Sequence, residues 1–239
     1  MISPAERETR RVRNETTAAG LALLIDHTAL KPQTTRRDIE NLCRETREFG
    51  FATACVAPVW VPLAADLLRG SSSGICTVVG FPHGGTIASA KAFEGRAALD
   101  AGARELDMVI SVGHLRSGDL DAVRRDIAGV VEAARSFPGA LVKVILETCL
   151  LTREEKIAGC RLAEEAGAAF VKTSTGFGPG GATVEDVALL AETAGSRLGV
   201  KAAGGIRSLD FALALVEAGA TRLGCSSSVQ LVEEFRRRS

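Results

Sequence analysis

Residues 141–175 read LVKVILETCLLTREEKIAGCRLAEEAGAAFVKTST. The stretch opens on a near-continuous apolar run, Leu141–Glu147, the composition of a parallel strand buried on both faces. Helical periodicity follows over Thr152–Gly167. Thr152 is placed to cap that helix, Glu155 falls at its third position, and Gly167 can close its C-terminus. A second apolar run, Phe170–Thr175, comes directly after. Strand, helix and strand in this order make a βαβ unit.

The same rhythm extends in both directions. Apolar runs recur at Leu24–His27, Ala52–Val56, Ile75–Phe81, Leu106–Ile110, Val200–Gly204 and Arg222–Ser226. Lys91–Gly102 and Ser208–Gly219 read as helices, the second with Ser208 as its cap. The triplet AGA stands at 101–103, 166–168 and 218–220, each time just before a strand. It marks a repeated helix–glycine–strand exit, not a sequence repeat. Eight strand runs alternating with helices predict an α/β fold, a single (β/α)8 TIM barrel over residues 19–239. Residues 1–18 are expected to form a polar leader, frayed or helical. An open doubly wound sheet is the competing architecture, but no GxGxxG opens the first unit and there is no P-loop.

A chain of 239 residues fits one barrel and buries roughly 70–75% of its unfolded surface, so it needs no staples. The 29 basic and 29 acidic residues cancel, which gives no support to a nucleic-acid partner. A small anionic ligand stays compatible with that balance, because a local pocket can be positive. The six cysteines, at 43, 55, 76, 149, 160 and 225, include no CxxC and read as buried or semi-buried thiols in a reducing compartment. No apolar run is long enough to span a bilayer, and the charged N-terminus lacks the apolar core of a secretory signal. A cytoplasmic protein is expected, with no membrane partner.

In a barrel enzyme the reactive groups sit at the C-terminal ends of the strands. Lys172, in Phe170–Gly178, lies inside an apolar strand, where a lysine is costly unless paired or employed. A lysine snorkelling to solvent from the strand end explains it equally well on position alone. Lys201 occupies the next strand, and two ammonium groups in one barrel mouth would disfavour each other's charge. That pushes one toward the neutral amine, the form that attacks a carbonyl. Asp107 is a carboxylate within Glu105–Ile110, either a structural ion-pair partner, a proton handler, or both. On charge grounds it is expected to pair mainly with Lys201 and to leave Lys172 free. Lys143 and Glu147 share strand parity, which places both in the same charge network.

Glycines gather where the last three strands end: Gly176 to Gly178, Gly204–Gly205, and Gly224 before Ser226 and Ser227. Glycine lets backbone N–H groups approach an anion, and serines add donors, so a phosphate cup is expected there. Any one of these glycine pairs is also what an ordinary strand–helix loop contains. The histidines, His27 near a strand end and His83 and His114 assigned to loops, form no metal-spaced set, and no metal or other cofactor is expected. There is no GxSxG, and Cys149 and Cys225 have no obvious histidine partner.

Several segments resemble the deoxyribose-phosphate aldolase family. They are Ile25-Asp26-His27-Thr28 with Leu30-Lys31-Pro32, Ala54-Cys55-Val56 with Pro58-Val59, Val79-Gly80-Phe81-Pro82, Leu106–Ile110, Val142–Ile145 with Glu147–Thr152, Phe170–Phe177, and Val200–Gly205. In order they run from about residue 22 to 228, and the KTSTGF and VKAAGG pair is highly specific. The resemblance implies reversible cleavage of 2-deoxy-D-ribose 5-phosphate to acetaldehyde and D-glyceraldehyde 3-phosphate. Lys172 would form the Schiff base, Lys201 would tune it, and Asp107 would move protons through water. Asp26, Lys143 and Thr175 would support them, and a homo-oligomer, dimer or tetramer, is expected. Ala57 and Ser111 stand where many members carry Asn, His83 where an apolar residue is common, Phe177 where some have a basic residue, and Ser228 where Gly is frequent. A transaldolase-like or keto-acid Schiff-base lyase, and a non-catalytic phosphosugar-binding barrel, are the alternatives.

Overall fold

The computed structural model describes residues 17–238. The leader expected over residues 1–18 lies outside the described residues except at its end. There Thr17 caps helix α1 (Ala18–Ala22) by accepting from the Gly20 N–H. Helix α1 packs on the last helix, α10 (Ser228–Arg238), with Leu21 fully buried.

Eight parallel strands close into a barrel in chain order. They are β1 (Ile25–Ala29), β2 (Thr53–Val56), β3 (Gly74–Val79), β4 (Glu105–Val109), β5 (Leu141–Ile145), β6 (Phe170–Lys172), β7 (Gly199–Ala203) and β8 (Arg222–Cys225). Closure pairs Ile25 with Leu223, Asp26 with Gly224 and His27 with Cys225. Between strands run α2 (Arg36–Phe49), α3 (Val61–Leu67), α4 (Ala88–Asp100), α5 (Val112–Arg116), α6 (Leu120–Arg135), α7 (Arg153–Glu165), α8 (Val184–Ala194) and α9 (Leu209–Glu217).

Local chemistry sets the boundaries. Helix α7 starts on a capping box: Glu155 N–H donates to Thr152 Oγ1 at 3.3 Å and Thr152 N–H to the Glu155 carboxylate at 2.7 Å. Ser208 caps α9 by accepting from the Phe211 N–H at 3.3 Å. Helix α4 begins earlier than its expected start at Lys91. Three strands end two or more residues before their apolar runs do. β3 stops where Gly80 turns left-handed at φ 62°, and β6 stops at Lys172. β5 stops at Ile145, and Glu147 adopts φ 57°, alone among the described non-glycine residues in having a positive φ.

Alternation along each strand divides the interior. On β4, Leu106 faces outward against Gly95 of α4, where an added Cβ would come within 3.2 Å of it. Asp107 therefore points into the barrel. The outer layer is aliphatic, built from residues such as Met108, Val144, Leu146, Ile127 and Leu190, all fully buried. No helix among the described residues is long and apolar enough to cross a membrane. No disulfide forms there, and Cys149 is exposed, because it stands on the 3-10 turn Thr148–Leu150 outside the wall. His114 lies in helix α5 rather than a loop, and its Nδ1 meets Ser111 Oγ at 2.8 Å.

Candidate active site

Register pairs the charged residues of neighbouring strands inside the barrel. Asp107 pairs with Lys143 across β4 and β5, and Lys172 with Lys201 across β6 and β7. Asp107 is the hub. Its Oδ1 accepts from Lys143 Nζ at 2.8 Å, and its Oδ2 accepts from Lys172 Nζ at 2.7 Å and Lys201 Nζ at 2.6 Å. Asp107 thus does not pair mainly with Lys201. Both lysines flank one oxygen, because β6 and β7 present them side by side to the carboxylate of β4.

A second carboxylate shares a lysine with the hub. Asp26 on β1 takes Lys201 Nζ on Oδ2 and, on Oδ1, Thr53 Oγ1 at 2.8 Å and Arg222 at 2.7 Å. Lys143 also meets Glu105 at 2.6 Å, and Arg222 meets Glu105 at 3.1 Å. Four cations, Lys143, Lys172, Lys201 and Arg222, therefore share three carboxylates, Asp26, Glu105 and Asp107. Asp26, Asp107, Lys143 and Lys201 are fully buried, and Lys172 is 3% exposed.

Burial opposes charge on Asp26, Asp107, Lys143, Lys201 and Arg222, and the pairing overcomes it. Burial alone would raise the Asp107 carboxyl, but Lys143, Lys172 and Lys201 hold it well below the usual carboxylate range. Against burial, Lys143, Lys201 and Arg222 hold Asp26 below that range as well. Burial works against the Lys201 ammonium, while Asp107 and Asp26 keep it above the ordinary lysine value. Lys172 touches a single carboxylate oxygen and stands at the mouth.

The mouth opens into a cavity of about 590 Å3 beside Lys172. Gly176, Gly204, Gly205, Gly224 and Ser226, which the sequence places at the strand ends, line it. Gly204, at φ 92°, has no room for a side chain, since an added Cβ would stand 3.0 Å from Gly181 and 3.4 Å from Gly176. Gly205 faces open space at φ 80°, a conformation L side chains rarely adopt. Ser227 is not among the cavity-lining residues. It precedes α10, and its carbonyl accepts the Leu231 N–H. Lys31 and Arg207 line the same cavity, and the sequence reading gave neither a role. Lys31 sits in a motif quoted above, but a cation on an exposed loop looks like any solvated charge. Phe177 lines it too and meets Phe81 edge-on at 5.2 Å between ring centroids.

Glu147 is not part of the lysine network. Parity links it to Lys143 only while the chain stays extended, and the left-handed turn breaks that relation. Its carboxylate instead accepts from the Thr175 hydroxyl and from the Thr175 N–H at 3.3 Å, pinning the loop that follows Lys172. His27 is structural: Nδ1 meets Ser228 Oγ at 2.9 Å and Nε2 meets Glu45 at 2.8 Å. Two sets of metal-capable groups, Cys55–Cys76–Asp107 and Asp26–Cys76–Glu105, fall inside the network. Ammonium and guanidinium groups already sit on those carboxylates, so a cation there would have to displace them.

A closed barrel with two lysines and a carboxylate converging beside a glycine-lined cavity is the frame of a barrel aldolase. Comparison with known proteins agrees. The model of the DeoC/LacD family aldolases matches residues 21–228, and the chain belongs to that family. The deoxyribose-phosphate aldolase of a Thermoanaerobacter species is 51% identical over 217 residues, covering 91% of this chain and 97% of that relative. That of Streptococcus gordonii is 55% identical over 209 residues, covering 87% and 94%. A tetrameric deoxyribose phosphate aldolase structure from Aeropyrum pernix superposes with a TM-score of 0.89 at 36% identity, covering 99% of this chain and 100% of that one.

Proposed function

We propose that this chain is a class I aldolase that reversibly cleaves 2-deoxy-D-ribose 5-phosphate to acetaldehyde and D-glyceraldehyde 3-phosphate. The observation that carries the reading is Lys172 and Lys201 on one oxygen of Asp107, with Lys172 opening on a glycine-lined cavity. Relatives about half identical over most of the chain carry that activity in their names.

The Lys172 amine attacks C1 of the open-chain sugar, and loss of water gives a protonated imine. Removal of the C3 hydroxyl proton then breaks the C2–C3 bond. The electron pair moves into the imine, leaving an enamine on Lys172 and releasing glyceraldehyde 3-phosphate. Protonation at C2 and hydrolysis, which returns the water lost earlier, release acetaldehyde. Asp107 carries protons through an intervening water, and Lys201 keeps positive charge at the site while Lys172 stays an amine. Asp26 and Lys143 hold Asp107 and Lys201 in place, and Thr175 fixes the loop above the nucleophile. The phosphate lies against Gly176, Gly204, Gly205, Gly224 and Ser226. The relative named as tetrameric supports a homo-oligomer, dimer or tetramer, and the protein acts in the cytoplasm on a small phosphorylated sugar.

The test is a coupled assay for glyceraldehyde 3-phosphate released from deoxyribose 5-phosphate, with borohydride trapping followed by mass spectrometry. Turnover with a reduced adduct on Lys172 is expected. An adduct on Lys201 would overturn the roles, and neither turnover nor adduct would leave a phosphosugar-binding barrel. Unphosphorylated deoxyribose is expected to be a much poorer substrate. Equal kcat/KM on the two sugars would mean that phosphate contributes nothing to the transition state.

A further inference from the structure

Cys76 on β3 is fully buried inside the barrel, and the reaction above gives it no part. Its S–H donates to Asp107 Oδ1 at 3.2 Å, and Lys143 Nζ donates to its sulfur at 3.3 Å. Another contact, to the Thr77 carbonyl, is longer at 3.8 Å. Cys55 is its register partner on β2, with both sulfurs and an Asp107 oxygen within 4.8 Å of one another.

These contacts divide the Asp107 carboxylate. Oδ1 receives Lys143 and Cys76, while Oδ2 receives Lys172 and Lys201. A carboxylate held by one donor on Oδ1 can tilt about that contact. Two donors from different strands fix its plane, and with it the place of Oδ2. The thiol has a proton to give, since burial, then Cys55 and Asp107, push its ionisation well above the ordinary value.

We propose that Cys76 is a positioning residue for the aldol reaction: with Lys143 it clamps Oδ1 of Asp107 and so presents Oδ2 to Lys172 and Lys201. The inference rests on the aldolase reading and adds to it a group that never touches substrate. It gives β3 a part in a site otherwise built from β1, β2, β4, β5, β6, β7 and β8.

The experiment compares wild type with Cys76→Ser, which keeps a donor, and Cys76→Val, which keeps the bulk and loses the donor. Each is assayed for kcat and KM on deoxyribose 5-phosphate, with its fold checked by circular dichroism and thermal unfolding. Cys76→Val is expected to lose about tenfold in kcat, the scale of one hydrogen bond to a charged group, with KM within about twofold. Cys76→Ser is expected to recover most of that loss. Wild-type kcat in Cys76→Val, or a Cys76→Ser as impaired as Cys76→Val, overturns the inference. Should Cys76→Val not fold, Cys76→Ala takes its place. If both donor-free variants unfold while Cys76→Ser folds, the thiol serves stability and the inference fails. Wild-type turnover keeps the two readings apart: its absence sinks the aldolase itself, whereas an active wild type with an unmoved Cys76→Val sinks only the positioning role.

Discussion

The molecule buries lysine against carboxylate in two places, and the two are built differently. Inside the barrel, Asp107 and Asp26 divide their oxygens among Lys143, Lys172, Lys201 and Arg222. Between the wall and the helices, Lys91 of α4 closes on Asp126 of α6 at 2.6 Å and on the Val109 carbonyl at 2.8 Å. Lys91 is fully buried, and its stem runs so close beneath Gly80 that an added Cβ there would stand 2.8 Å from Cε. The outer pair is one cation on one carboxylate, sealed by a backbone carbonyl. The inner set holds more cations than anions and opens on a cavity. A closed pair can only hold elements together, here α4, α6 and the end of β4. A set with one member at a mouth leaves that side chain within reach of a ligand, which chemistry requires.

That contrast is sharpest at the nucleophile. Lys172→Ala is expected to lower kcat by on the order of 10^4-fold or more, abolish borohydride-dependent labelling and leave the fold intact. A folded Lys172→Ala that still traps substrate would break the comparison, because the inner set would then hold its nucleophile elsewhere. A smaller loss is expected at Lys201. In Lys201→Leu, Asp107 is left to Lys172 and Lys143 and favours the ammonium form of Lys172. Activity at neutral pH should fall roughly a hundredfold or more and return in part as pH rises. The measurement is a pH–rate profile of both proteins, and an unmoved acidic limb would assign Lys201 to substrate hydrogen bonding or proton relay instead.

How much of this could be read in advance depends on where each residue sits. Strands buried on both faces need apolar side chains at every position, so the barrel shows as eight apolar runs. For the same reason an ionisable residue within a run is conspicuous, as Lys172, Lys201 and Asp107 are. Arg222 and Glu105 open their strands, where a charge looks like ordinary surface, although Arg222 pairs in register with Lys201 and faces the same interior. Lys91 was invisible because helix α4 reads as a mixed surface helix, and its partner Asp126 lies on another helix. Parity misassigned Glu147 because the strand had already ended.

The outer pair should respond in stability rather than rate. Lys91→Met leaves Asp126 buried without its cation, a change that typically costs about 3–5 kcal/mol. Replacing both, Lys91→Met with Asp126→Leu, should recover much of that loss. Urea unfolding measures each, and kcat of the folded single variant at low temperature should stay within about threefold of wild type. A folded Lys91→Met with normal stability and a collapsed kcat would place the outer pair in the chemistry and erase the distinction.

The smallest expected effect separates the two systems by sign. Against burial, their lysines hold Asp107 and Asp26 below the ordinary carboxylate value of 3.8, so both bind protons less readily folded than unfolded. Their contribution to stability is present above that value and is lost as pH falls through it and below. Asp126 runs the other way: burial raises it above 3.8, and Lys91 offsets that only in part. Folded protein therefore keeps a proton on Asp126 where the unfolded chain has released it, and its contribution declines as pH rises above 3.8. Unfolding free energies of wild type, Asp107→Asn and Asp126→Asn between pH 3 and 7 test this. The difference between wild type and Asp107→Asn should grow with pH, and that between wild type and Asp126→Asn should shrink. Two slopes of the same sign would mean that the outer carboxylate is as fully stabilised by its single lysine as the inner ones are by their shared set, and that closure of the pair, not the number of cations, sets the charge of a buried carboxylate in this barrel.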